Sequence, residues 1–156
     1  MTAKSADVFP HVSSAEIHNE EFRLFGVLSC GVDLVWSEVL PFISNSVAFS
    51  DGTYTAEDIY QFVKQKSMQL WVVYKNSGIC CAVITEITIY PRQKRLNILF
   101  LGGVGLDKWL HKIDEIMRWG REMGCSCVQV YGRDGWVKAL KNYGFKKTHV
   151  ILKADL

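Results

Sequence analysis

Proline is scarce in this chain: three in 156 residues. Net charge is scarce as well, with 18 Lys and Arg against 16 Asp and Glu, a formal +2. A balance that close to zero argues against a dedicated nucleic-acid binder, which carries a clear basic excess. No run of apolar residues approaches the length of a membrane span, and Met1 to Pro10 has no signal-peptide core. The expectation is a soluble, cytoplasmic protein. There is no internal repeat and no low-complexity linker. The five cysteines are odd in number, and neither Cys80-Cys81 nor Cys125-Ser126-Cys127 has the spacing of a structural zinc site. Buried, reduced thiols are the plain reading. His11, His18, His111 and His149 are dispersed and form no metal motif.

What remains is an ordinary globular composition, 49% hydrophobic and 22% charged, long enough for one domain with a real core. The first 20 or so residues are polar and mixed, the composition of a partly mobile segment. Phe22 to Val27 fits a first strand. Val32 to Phe49 reads as a helix, with Leu34, Val35, Val39, Leu40, Phe42 and Ile43 as its apolar positions and Pro41 as a kink or break. Thr55-Ala56-Glu57-Asp58 has the shape of a capping box and opens a helix to Lys66. Three strands follow, Leu70 to Tyr74, Ile79 to Tyr90 and Arg95 to Leu101, joined by turns at Asn76-Ser77-Gly78 and Pro91. They make an antiparallel meander. The basic tip Pro91 to Arg95 reads as a solvated turn or as a contact for an acidic or nucleic-acid partner.

The pattern then changes. Leu101-Gly102-Gly103-Val104-Gly105 leads into an amphipathic helix whose apolar face runs from Leu106 through Trp109, Ile113, Ile116 and Gly120. Gly124 stops it, and Ser126 to Tyr131 is a strand that a helical crossover makes parallel to its predecessor. A helix over Gly135 to Tyr143 and a last strand over Phe145 to Lys153 complete a mixed α/β layout, with helices on both faces of the sheet. Glycines between a strand and a helix N-terminus let backbone N–H groups approach an anion. A tight turn explains them equally well. The spacing is neither that of a P-loop nor that of a dinucleotide fingerprint.

The order of elements, with Phe100-Leu101-Gly102-Gly103-Val104-Gly105 after the third meander strand and Asn142-Tyr143-Gly144-Phe145 near the end, resembles the GNAT superfamily of N-acetyltransferases. Within it the chain is most similar to the small acetyltransferase-like proteins of phage genomes, over residues 32–156. The resemblance implies a single GNAT-like domain that binds acetyl-CoA between splayed strands and acylates a primary amine, on a small molecule or a protein. It places the cofactor pyrophosphate on the backbone from Phe100 to Leu106, with Gly103 and Gly105 at the family's two small positions. Phe100 stands where Gln or Arg is usual. Glu86 matches the family's base; the alternatives are a solvent-facing carboxylate or a pair with Arg95. The family's acid tyrosine falls at Leu140. Tyr143 reads as packing, while Tyr131 stands as the candidate acid near the leaving thiolate or as a strand-end aromatic. Arg133 reads as a phosphate contact or a solvated loop charge. The two departures, Phe100 and Leu140, also fit a chain that keeps the fold without catalysis, as a phage virion or host-interaction component. Monomer and homodimer both stay open, and so does location in a host cytoplasm or a virion.

Overall fold

A computed structural model describes residues 21–76 and 78–156. The N-terminal segment read as mobile, and Ser77 of the first turn, lie outside the described residues. Five strands form one sheet in the order β1-β2-β3-β4-β5: β1 Phe22–Val27, β2 Gln69–Lys75, β3 Gly78–Tyr90, β4 Gln93–Gly103 and β5 Cys127–Val130. The first three pairings and their registers are antiparallel, and β4 with β5 is parallel. The expected meander and crossover are both present.

Helices α1 (Val32–Val47) and α2 (Ala56–Lys64) cover one face. Val39, Ile43, Ile59 and Val63 pack there on Leu70, Val72, Ala82, Ile84 and Phe100. The capping box forms as expected: Thr55 Oγ1 accepts from the Asp58 N–H at 3.2 Å, and Asp58 Oδ2 accepts from the Thr55 N–H at 2.8 Å. Bonds from the Thr55 backbone and side chain hold the Asp58 carboxyl below its ordinary value. Asp33 on α1 accepts from Lys64 at 2.8 Å and from the Tyr60 hydroxyl at 2.6 Å on α2, which lowers its pKa and ties the two helices together.

Two expectations change on this face. Pro41 neither ends nor divides α1, which runs as one helix through it. Proline deletes a single N–H from the ladder, and packing of Val39, Ile43 and Val47 carries the helix past that gap. The apolar stripe is also rotated from the expected one. Val32, Val39, Ile43 and Val47 are the buried positions, and Leu34 is 83% exposed.

The other face is covered by the crossover and the C-terminal part. The expected single helix after Gly105 is three pieces: α3 (Leu106–Trp109), a 3-10 turn at Leu110–Lys112, and α4 (Ile113–Glu122). Trp109 leaves helical geometry at φ −120°, and its indole N–H donates back to the Val104 carbonyl at 2.7 Å. Trp109, Ile113 and Ile116 pack on Val73, Val83, Leu96 and Ile98. Under this layer Trp71 donates to Thr85 Oγ1, which donates to Gln69 Oε1, each at 2.9 Å, so the fully buried Thr85 is satisfied.

Helix α5 (Gly135–Leu140) and a 3-10 turn end at Gly144 in a left-handed conformation, φ 82°. The expected last strand is absent. Residues 145–153 join no ladder. Lys147 pairs with Asp134 at 3.3 Å and Lys153 with Asp51 at 2.6 Å. These pairs hold the tail beside β5 across an open cleft of about 860 Å³, and Val150, Ile151 and Leu152 are exposed.

At Gly102 the sheet lies close against α1. A Cβ there would run into the Phe42 carbonyl and Ser46 Oγ. Gly102→Ala is expected to destabilise the fold by about 1–3 kcal/mol, the usual penalty of an overpacked contact. Gly135→Ala, where a Cβ meets nothing, should lose nothing. Urea unfolding compares the two, and equal midpoints would remove the close approach as the reason for the glycine.

Candidate active site

The parallel pairing of β4 with β5 is short. It runs from Arg95 with Cys127 to Ile98 with Val130, and then a long bond from the Tyr131 N–H to the Ile98 carbonyl closes it at 3.4 Å. On its other side β4 pairs with β3 as far as Gly103. Between these two facts lies a bulge. The register steps from Ile84 with Phe100 to Thr85 with Ile98, so Leu99 has no partner on β3. From Leu99 to Gly103, β4 therefore continues with no β5 beside it. The result is a slot that opens away from the Ile98–Val130 pair, with β4 backbone along one wall that no strand among the described residues pairs.

At the head of the slot, Gly103 lies against β3. A Cβ there would approach the Cys80 carbonyl at 2.5 Å and Cys81 Cα at 2.7 Å. Tight packing requires glycine at this position, independent of any ligand. Val104 donates its N–H to the Cys80 carbonyl at 3.0 Å, so this N–H is used by the sheet and is not directed at an anion. Gly105 differs. It adopts φ 68°, and a Cβ there would find only Lys108 Cδ, at 3.8 Å. It stands just before the first turn of α3, where the N–H groups of Leu106 and Asp107 have no helical partner. The open backbone cradle thus centres on Gly105, with the Lys108 side chain beside it. α3 is only four residues long, so the cradle depends on local N–H groups far more than on a helix dipole.

The other proposed contacts separate. The Phe100 side chain turns into the α1/α2 core, 8% exposed and edge-on to Tyr54 at 5.7 Å. Leu101 packs into the opposite core. These residues offer only backbone to the slot. Tyr131 is the first residue beyond β5 and is 46% exposed. The Arg133 guanidinium lies 3.9 Å from the Phe49 ring centroid, a cation–π contact that ties the loop after β5 to the segment after α1.

Glu86 is half-buried on the α1/α2 face and sits opposite Asn97 in the register. It does not pair with Arg95, which donates to Gln129 Oε1 at 3.2 Å and lies over the Tyr90 ring at 4.9 Å. Lys94 donates to the Met123 carbonyl at 2.7 Å. Two cations of the basic tip are thus engaged within the fold. Leu140, at the family's tyrosine position, is core at 2% exposure. Sequence reasoning passed over Asn97 and Lys108. The signal for Asn97 was an amide in the middle of an apolar strand. Lys108 carried no signal that set it apart from the other charges on a solvated helix face.

Three of the thiols are poor nucleophiles. Burial pushes Cys81 far up, and it pushes Cys80 and Cys125 up as well. Cys80 also donates to the Val73 carbonyl at 3.4 Å. Among the described residues no group of three His, Cys, Asp or Glu is placed to hold a metal.

No family model matches the chain, and no curated protein is similar to it. Solved structures do match. A predicted acetyltransferase with acetyl-CoA from Clostridium acetobutylicum is 12% identical over 86% of this chain and 96% of that one, with TM-score 0.62. An aminoglycoside acetyltransferase from an uncultured soil metagenomic sample, in complex with sisomicin, is 12% identical over 86% and 96%, TM-score 0.60. A transcriptional regulator from Bacillus halodurans is 16% identical over 87% and 100%, TM-score 0.66. The chain has the fold of the GNAT acetyltransferases. No helix among the described residues is long and apolar enough to cross a membrane.

Alkylation with iodoacetamide at pH 8 is expected to label the exposed Cys30 and Cys127 and to spare Cys81 in the folded protein, since the thiolate is the reactive form. Peptide mass mapping reads the order. Early labelling of Cys81 would contradict its burial.

Proposed function

We propose that the chain is an acetyl-CoA-dependent N-acetyltransferase acting on a primary amine. The slot between β4 and β5 beyond Ile98 and Val130 carries this reading. The residues present fit the cofactor: unpaired β4 backbone lines the slot, and the space at Gly105 is open where a Cβ would stand. The thioester supplies an activated acetyl group, and the amine attacks it directly.

The chain's own groups have separable tasks. The N–H groups around Gly105 and the Lys108 side chain hold the pyrophosphate. Arg133 adds a second cation once it leaves the Phe49 ring. The free N–H and C=O groups of β4 between Leu99 and Gly103 hold the pantetheine arm, as an added strand would be held. Glu86 takes the proton from the ammonium, because only the neutral amine has a lone pair to give. Tyr131, next to the point where the strands part, protonates the leaving thiolate.

A second reading has its own support in the buried Leu140. A chain that keeps the fold for protein contact, as in a phage virion or a host-interaction module, needs no tyrosine there. Titration calorimetry separates the two. The enzyme reading expects acetyl-CoA binding in the micromolar range, and no heat at hundreds of micromolar overturns it.

Gly105→Asp places a carboxylate in the cradle with no steric conflict, and aspartate tolerates the left-handed region better than most residues. Binding is expected to weaken at least tenfold, while Gly105→Asn stays near the natural protein. Equal weakening in both variants would remove phosphate repulsion as the cause. Glu86→Gln is expected to lower kcat by about 10²–10⁴-fold, the span of general-base catalysis, with acetyl-CoA affinity unchanged. An unchanged rate in a thiol-release assay would end its role as base.

A further inference from the structure

β5 pairs with β4 on one side, and among the described residues no strand lies on its other edge. The Ser126 N–H donates to the Lys94 carbonyl. In a parallel ladder alternate residues of a strand bond to a given neighbour. Cys127 and Gln129 therefore turn their N–H and C=O groups to the free edge. That edge borders the open cleft of about 860 Å³, with the tail as the opposite wall. An uncovered edge is a template for another strand.

The two sides of the cleft differ. Val128 and Val130 pack toward the α4 core with Trp136 and Phe145, and all four line the cleft. Cys127 stands opposite Arg95, and Gln129 opposite Asn97, on the α1/α2 side. A strand laid along β5 would send alternate side chains to these two sides. On the far wall Val150 and Ile151 are 70% and 77% exposed. The charge is one-sided. Arg95, Arg133, Lys146 and Lys147 line the cleft with Asp134 as its one carboxylate, a larger excess than the +2 of the whole chain. The tail adds to that excess. It carries Lys146, Lys147 and Lys153, and two of them pair with Asp134 and Asp51 while the tail stands off from β5. The tail of a second copy would bring the same cations. The charge therefore favours an acidic occupant from another chain.

We propose that the cleft docks an extended segment of a partner protein, with apolar and acidic residues in alternation, added to β5 as a further strand. The Cys127 and Gln129 backbone groups supply the ladder, and the alternate side chains supply the selectivity. Apolar side chains go to the side of Val128, Val130 and Trp136. Carboxylates go to the side of Arg95. The docking edge of β5 is the one opposite the slot, so the partner does not compete with a ligand held against β4. The proposal goes beyond the acetyltransferase reading and does not depend on it.

The probe is an end-blocked hexapeptide of alternating aspartate and valine. It is titrated into the ¹⁵N-labelled full chain, and the backbone amide resonances of Cys127 and Gln129 are followed. They are expected to shift saturably, and their exchange with solvent to slow at least tenfold. Two further peptides separate the causes. One with lysine in place of aspartate should bind at least tenfold more weakly, and so should the acidic peptide N-methylated at every residue, which has no N–H to give a ladder. Lys146 is exposed, so Lys146→Glu should fold; it is expected to weaken the acidic peptide at least threefold. Equal affinity of the three peptides, binding that leaves Cys127 and Gln129 unmoved, or no binding at millimolar peptide overturns the proposal. So does slow exchange of both amides in the free chain, which would mean that the chain covers this edge itself. Tighter binding of an oligothymidylate than of the acidic peptide also overturns it, in favour of a nucleic acid. No cofactor is present in these titrations, so their failure leaves the acetyltransferase reading untouched, and a chain that binds the peptide but no acetyl-CoA fails that reading alone.

Discussion

Strand β4 is held by β3 from Gln93 to Gly103, save at Leu99, but by β5 only from Arg95 to Ile98. That unequal support is the constraint on which the rest of the site depends. A strand paired on both sides has no backbone to offer a ligand. One released on one side presents alternate N–H and C=O groups at the spacing an extended chain needs. β4 tolerates release because it is anchored elsewhere: Gly102 lies against α1, Gly103 against β3, and the Val104 N–H bonds to Cys80. Trp109 then fixes the turn from the far side by donating to Val104. The open edge is therefore rigid, which favours binding because little order remains to be imposed.

Period and turn chemistry made most of this fold legible in the sequence. The meander, the βα junction and the capping box at Thr55 all follow from local rules that tertiary contacts reinforce. What stayed hidden depended on partners distant in the chain. Pro41 reads as a breaker, and only the packing of α1 on the sheet shows that the helix survives it. Residues 145–153 read as a strand through the β-branched Thr148, Val150 and Ile151, but they join no ladder, and Lys147 and Lys153 pair with Asp134 and Asp51 across a cleft from β5. The glycine cluster was legible as a cluster only. Close approach to α1 and β3 explains Gly102 and Gly103, and of the three only Gly105 stands over open space. Phe100 reads as a departure at a ligand position, and its side chain in fact belongs to the core.

Low net charge and an anionic ligand are compatible once the cations are located. Lys94 and Arg95 are engaged by Met123 and Gln129, so the basic hairpin tip offers little field to a polyanion. Lys108 stands beside Gly105, and Arg133 lies over the Phe49 ring. The proposed pyrophosphate would need only such cations and a few directed N–H groups, with no basic surface required. The same fold is found in proteins described as acetyltransferases and in one described as a transcriptional regulator. Architecture alone therefore does not assign chemistry; the proposed chemistry rests on the placement of Gly105, Glu86 and Tyr131.

The bulge at Leu99 does two things at once. An extra residue bends β4 and raises its local twist, which favours its parting from β5. It also shifts the strand's phase. Before the bulge, Leu96 and Ile98 face the α4 core while Arg95 and Asn97 face the α1/α2 side; after it, Phe100 faces the α1/α2 core. Side chains alternate with period two, so drawing Leu99 into regular pairing while Phe100 to Gly103 stay in place would turn every residue before it to the other face. Asn97 and Arg95 would enter the α4 core, and Leu96 and Ile98 would lose their burial. Keeping the slot open and keeping the polar face beside it are thus one structural requirement. With Leu99 in the chain, Glu86 and Asn97 keep this arrangement only if the bulge forms.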